Sequence, residues 1–101
     1  MSKVLIIEDE ESLRDVYREE FESEGFTVET AKDGKEGIEK MVSFLPDLVL
    51  LDLMMPRMSG FDVLKSVKDN PALKNIPIIV FTNINPDVQD LLKNWGALFS
   101  Y

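Results

Sequence analysis

The sequence predicts an α/β fold, a doubly wound and mainly parallel sheet with helices on both faces. Three observations predict it. Strand-like apolar runs alternate with helix-spaced apolar stripes four times within 101 residues, and a further short run closes the chain. Two of the runs, LVLLDL and IPIIVFT, are apolar without alternation, which marks strands covered on both faces. Polar residues follow several runs at the same end, so a parallel arrangement gathers them on one rim. Strict alternation of strand and helix with right-handed crossovers gives this layering.

The elements follow in order. Lys3 to Ile7 (KVLII) is the first strand, ending in the acids Glu8 to Glu11. Leu13, Val16, Tyr17 and Phe21 fall on one helical stripe, and Gly25 ends it. FTVETA, Phe26 to Ala31, alternates apolar and polar and predicts a strand with one more exposed face. KDGKEG is a turn, and Ile38, Met41, Val42 and Leu45 form the second stripe, stopped at Pro46. LVLLDL is the central strand. After MMPRMSG, Phe61, Leu64 and Val67, flanked by Val63 and Lys68, predict the third helix, which runs out near Asn70 and Pro71. IPIIVFT, Ile76 to Thr82, is the fourth strand. Pro86 suits a helix start, Val88, Leu91, Leu92 and Trp95 form a fourth stripe, and Gly96 closes it. ALFSY, Ala97 to Tyr101, begins a fifth strand.

Composition narrows the function. The length suits one domain over residues 1–101. Without cysteine or histidine there is no disulfide framework, no thiolate metal site and no histidine catalysis. A net charge of −8 argues against gripping nucleic-acid backbones, and no apolar run is long enough to span a membrane. Cytoplasmic residence is the default expectation.

The rim residues carry the chemistry. Glu8 and Asp9 end the first strand, Asp52 the third and Thr82 the fourth. Three carboxylates on one rim repel, and a bound cation relieves the repulsion. With only oxygen donors on offer, magnesium fits, or manganese or calcium, but not zinc. A carboxylate beside such an ion suits formation of an aspartyl phosphate, with the Thr82 hydroxyl placed to donate to a phosphoryl oxygen. Plainer roles suit other residues. Glu10 and Glu11 favour a helix start, Met54 and Met55 read as core, and Asp33-Gly34 reads as a loop before a helix.

On these residues the sequence resembles response-regulator receiver domains, the phospho-accepting modules of two-component signalling. The segment from VLIIEDEESLRD to AKDGKEG, the signature PDLVLLDLMMPRMSGFDVL, and IPIIVFT with WGALFSY carry the resemblance over residues 3–101. The resemblance implies a flavodoxin-like strand order 2-1-3-4-5. It implies Asp52 as phospho-acceptor and a Mg2+ site of Glu8, Asp9, Asp52 and the Met54 backbone carbonyl. Thr82 would contact the phosphoryl group, and Tyr101 would be the switch aromatic that follows it. The partner would be a sensor histidine kinase or phosphotransfer protein, and the domain would be no enzyme beyond assisting its own phosphorylation and dephosphorylation. Glu8 departs from the family's usual pair of aspartates, and Asn83 from a usually small residue.

The family also carries a lysine three residues past the switch aromatic, beyond the last residue of this chain. Strand five is therefore expected to be incomplete and helix five absent, a carboxyl-terminally truncated receiver. That expectation carries two others. Copies should associate through an open strand-four and strand-five edge. An alternative function is a truncated or engineered fragment without phosphotransfer competence. A Mg2+-dependent aspartyl-phosphate phosphatase is the remaining alternative, disfavoured because Met54 stands where such an enzyme needs a second acid.

Overall fold

A computed structural model of the chain describes residues 2–53, 55, 58–81 and 98–100. The elements are β1 (Lys3–Ile7), α1 (Glu11–Ser23), β2 (Thr27–Ala31), α2 (Gly34–Phe44), β3 (Leu48–Asp52), α3 (Gly60–Lys68), β4 (Ile78–Phe81) and β5 (Leu98–Ser100). All neighbouring strands run parallel in the order β2-β1-β3-β4-β5, as the resemblance implies. The fourth helical stripe, Val88 to Trp95, lies outside the described residues.

The period-two alternation of each strand divides the core between two faces. Leu5, Ile7, Val49, Leu51, Ile78 and Val80 point to one side, where Met41 of α2 and Val63, Leu64 and Val67 of α3 close over them. Val4, Ile6 and Leu50 point to the other, beneath Tyr17 and Phe21 of α1. A strand sandwiched in this way has no polar face, which explains why VLII and LVLL read as unbroken apolar runs. Phe21 also packs edge-on against Phe26, with ring centroids 5.6 Å apart.

Two expected stripes bury less than their spacing suggests. Leu13 and Val16 remain 39% and 48% exposed, and α1 buries no residue fully; its packing rests on Tyr17 and Phe21. On α2 the buried residues are Gly34, Gly37 and Met41. Val42 is rotated about 100° from Met41 around the helix axis, and it is 55% exposed. Leu45 lies past the helix as its C-cap, in the left-handed region at φ 49°, with its N–H donating to the Met41 carbonyl. Gly25 holds φ 93° where α1 ends, the backbone for which a glycine stop is suited.

The far edge of β4 also differs from expectation. β5 is short, as anticipated, yet it pairs Leu98 with Ile79, Phe99 with Val80 and Ser100 with Phe81. Most of the β4 edge expected to be open is thus occupied, and the outermost strand among the described residues is β5.

Candidate functional site

The parallel register of β1 and β3 builds the site. Ile7 lies beside Leu51, so the next residues, Glu8 and Asp52, come out side by side at the same rim. Glu8 prolongs β1 by one ladder bond, its N–H donating to the Ala31 carbonyl at 3.0 Å. Asp9 follows where the chain turns toward α1. One carboxylate oxygen from each of Glu8, Asp9 and Asp52 lies within 4.8 Å of the other two. The three acids placed on one rim by the sequence are brought together.

Their environments differ. Asp9 is exposed and Asp52 half-buried, whereas Glu8 is only 2% exposed. Burial pushes the Glu8 carboxyl up from 4.5 to about 8, with hydrogen bonding and charge from Asp52, then from Asp9, adding to the rise. Its Oε2 has no hydrogen-bond partner among the described residues. A buried carboxylate oxygen left without a donor is costly, and a cation or a hydrogen-bond donor relieves it. The set is all oxygen, mutually repelling and pre-gathered, which fits a hard divalent cation.

The surrounding loops hold the acids in place. Arg14 Nη1 donates to the Glu8 carbonyl at 2.9 Å and to the Asp9 carbonyl at 3.4 Å. This clamp ties the turn after β1 to the first turn of α1. Sequence reasoning did not single out Arg14; the available signal was a cation set within EDEESLRD. On the β3 side, Gly60 N–H donates to the Leu53 carbonyl at 3.2 Å. A Cβ on Gly60 would stand 2.6 Å from Leu53 Cα and 2.9 Å from the Asp52 carbonyl oxygen. Only glycine lets α3 begin so close to the acceptor strand. Ser59 and Asp62 form a reciprocal capping box that fixes this helix start.

The plainer readings fare well. Glu10 is the N-cap of α1 and accepts from Ser12 Oγ, and Glu11 lies in the first turn; neither belongs to the cluster of Glu8, Asp9 and Asp52. Asp33 caps α2 by accepting from the Glu36 N–H at 2.8 Å. Met55 is buried in the core. Thr82, Tyr101, Met54 and Asn83 lie outside the described residues.

Known proteins resemble this chain in sequence and fold. The model of the response regulator receiver domain matches residues 4–97. Response regulator ArlR of Staphylococcus saprophyticus is 40% identical over 82 residues, 81% of this chain and 36% of that protein. The DNA-binding dual master transcriptional regulator RpaA of Synechocystis is 32% identical over 97 residues, 96% of this chain and 40% of that protein. The chain thus spans well under half the length of these curated relatives. Among solved structures, chemotaxis protein CheY4 of Vibrio cholerae superposes with a TM-score of 0.91 at 33% identity, covering 98% of this chain and 83% of that one. Response regulator TrrA of Thermotoga maritima, solved in complex with Mg2+ and BeF, gives 0.84 at 32% identity, covering 98% and 84%. The match over residues 4–97 and the sequence and fold likeness to these relatives agree, and the chain belongs to the family of response regulator receiver domains.

Proposed function

We propose that residues 1–101 form a single phospho-accepting receiver module, in which Asp52 takes a phosphoryl group from a phosphohistidine on a sensor kinase or phosphotransfer protein. The observation that carries it is the meeting of Asp52 with Glu8 and Asp9 at one rim, within 4.8 Å. Glu8, Asp9, Asp52 and the Met54 backbone carbonyl are the ligands we assign to Mg2+; the gathering of the three acids supports the site, and the similar TrrA, solved in complex with Mg2+ and BeF, supports the choice of ion. The ion, when bound, supplies positive charge against the phosphoryl oxygens and the crowded acids.

Asp52 contributes the nucleophile. An oxygen of its carboxylate forms a bond to phosphorus in line with the departing imidazole, and the P–N bond of the phosphohistidine breaks. The nitrogen keeps the bonding pair, and the product is an acyl phosphate on Asp52. Asp9 and Glu8 flank the acceptor without taking part in bond making. Thr82 is assigned the phosphoryl contact and Tyr101 the aromatic that follows it. Such a module turns over no external substrate; it assists only its own phosphorylation and dephosphorylation. Cytoplasmic location is consistent with this role, and no helix among the described residues is long and apolar enough to cross a membrane. At a net charge of −8 the module makes no direct contact with nucleic acid.

Incubation with Mg2+ and a small phosphodonor, read by mass spectrometry, tests the proposal. One phosphoryl group should appear on the wild-type chain and disappear in Asp52→Ala, while Thr82→Ala keeps part of it. A modification that persists in Asp52→Ala refutes the assignment of Asp52. No modification of the wild type favours a fragment without phosphotransfer competence.

Association between copies enters this proposal in narrower form. The β4 edge is covered at Ile79, Val80 and Phe81, so among the described residues the outermost strand edge, the one we assign to pairing, is that of β5. Light scattering across a concentration series should show mass rising with concentration. A constant monomer mass overturns the association.

A further inference from the structure

We propose that Tyr17 is a positioning residue of the acidic site: its hydroxyl is the donor that receives Glu8 Oε2 when the other oxygen of that carboxylate takes a cation. This inference rests on the metal assignment made for the receiver function. Strand alternation places Glu8 on the same sheet face as Val4 and Ile6, and Asp52 on the same face as Leu48 and Leu50. Tyr17 packs on that face, against the cluster of Val4, Ile6 and Leu50. Helical side chains lean toward the amino end of their helix, and α1 begins at Glu11, just past the acidic rim. That lean directs the ring from the apolar floor toward the rim where Glu8 and Asp52 end their strands. Burial, followed by the charges of Glu8, Asp52 and Glu20, raises the Tyr17 hydroxyl above its ordinary value of 10.0, which agrees with that placement.

The need for a donor is visible at Glu8. Its Oε2 is buried and has no hydrogen-bond partner among the described residues. A carboxylate that ligates a metal through one oxygen is normally held by a hydrogen bond to the other. Arg14 is occupied with backbone carbonyls of the same turn. A tyrosine suits the position because its apolar body fills the α1 face while its polar tip reaches the rim. Lengthening an aspartate to Glu8 at the strand end also extends the carboxyl toward such a donor.

The test compares Tyr17→Phe, which keeps the ring, with Tyr17→Leu, which does not. Mg2+ affinity is measured by calorimetry and folding by thermal unfolding. Tyr17→Phe should melt like the wild type and bind Mg2+ about tenfold more weakly, the equivalent of one charge-assisted hydrogen bond. Tyr17→Leu should lose both affinity and stability. In Glu8→Asp, which withdraws the carboxyl by one methylene, Tyr17→Phe should leave Mg2+ affinity unchanged. An independent readout uses Tyr101→Phe, in which Tyr17 is the sole remaining tyrosine. Mg2+ should then perturb the tyrosine absorbance near the red edge of its band. Unchanged affinity in Tyr17→Phe, or no tyrosine perturbation on Mg2+ binding, overturns the role of Tyr17 and leaves the metal site standing. A wild-type chain that binds no Mg2+ overturns the metal assignment and this inference together.

Discussion

Glu8 is the residue on which the acidic site turns. Its carboxyl titrates near 8 where an ordinary one titrates at 4.5, chiefly because it is buried and then because Asp52 and Asp9 crowd it. Between those two values the folded chain holds a proton that the unfolded chain has released. Proton linkage then makes Glu8's contribution to stability largest below about 4.5, and it declines as pH rises through about 8. The difference in unfolding free energy between wild type and Glu8→Gln should follow that course, measured by denaturant titration at several pH values. Mg2+ binding has the opposite slope because it needs the ionised carboxylate. Calorimetry in buffers of different ionisation enthalpy should show proton release on binding near neutral pH, and affinity that climbs until about pH 8. Asp9→Ala and Asp52→Asn should each weaken binding strongly; unchanged affinity in both refutes the ligand set. The pairing of Glu8 and Asp9 with Asp52 was legible in the sequence, because all three end strand-like runs. The burial of Glu8, and so its proton, was not, since it depends on packing between α1 and the sheet.

At the scale of elements, the turn from β3 into α3 decides where Asp52 sits. Gly60 lets that turn pass within van der Waals distance of the strand end, and an added Cβ would meet Leu53 Cα at 2.6 Å. Two of the three near atoms, Leu53 Cα and the Asp52 carbonyl oxygen, are backbone and cannot swing aside. Gly60→Ala should therefore cost about 1–3 kcal/mol of stability, as overpacking does, and should weaken Mg2+ binding by shifting the Asp52 backbone and with it the carboxylate. Thermal unfolding and calorimetry on the same variant check both effects. The helices show what spacing alone leaves open. The stripe on α1 is real, yet Leu13 and Val16 stay largely exposed while Tyr17 and Phe21 pack. On α2, Val42 falls off the buried line set by Gly34, Gly37 and Met41. Small residues such as those glycines carry no hydropathic signal, so the buried face of α2 was shifted from the one its larger residues suggested.

For the whole molecule, the two faces of the sheet differ in how much they contribute. Leu51 is fully buried under α2 and α3, so Leu51→Ala should cost about 2–5 kcal/mol. That is a large part of the roughly 5–15 kcal/mol that holds a domain folded. Val16→Ala, at a residue 48% exposed, should cost about 0.5 kcal/mol or less. Chemical denaturation of the two variants side by side checks the contrast; equal losses would mean that α1 is packed as tightly as α2 and α3.

The order of elements, the parallel sheet and the gathering of three acids on one rim followed from the sequence by itself. Apolar runs without alternation demand cover on both faces, and a parallel sheet sends the ends of its strands to the same side. The tertiary structure alone decided which of these acids is buried, which apolar residues of α1 and α2 pack, and how far β5 closes the edge of β4. Those outcomes depend on distances between elements far apart in the chain, such as Glu8 to Asp52. Hydropathic periodicity orients each helix or strand about its own axis; only the assembled packing sets how close one comes to the next.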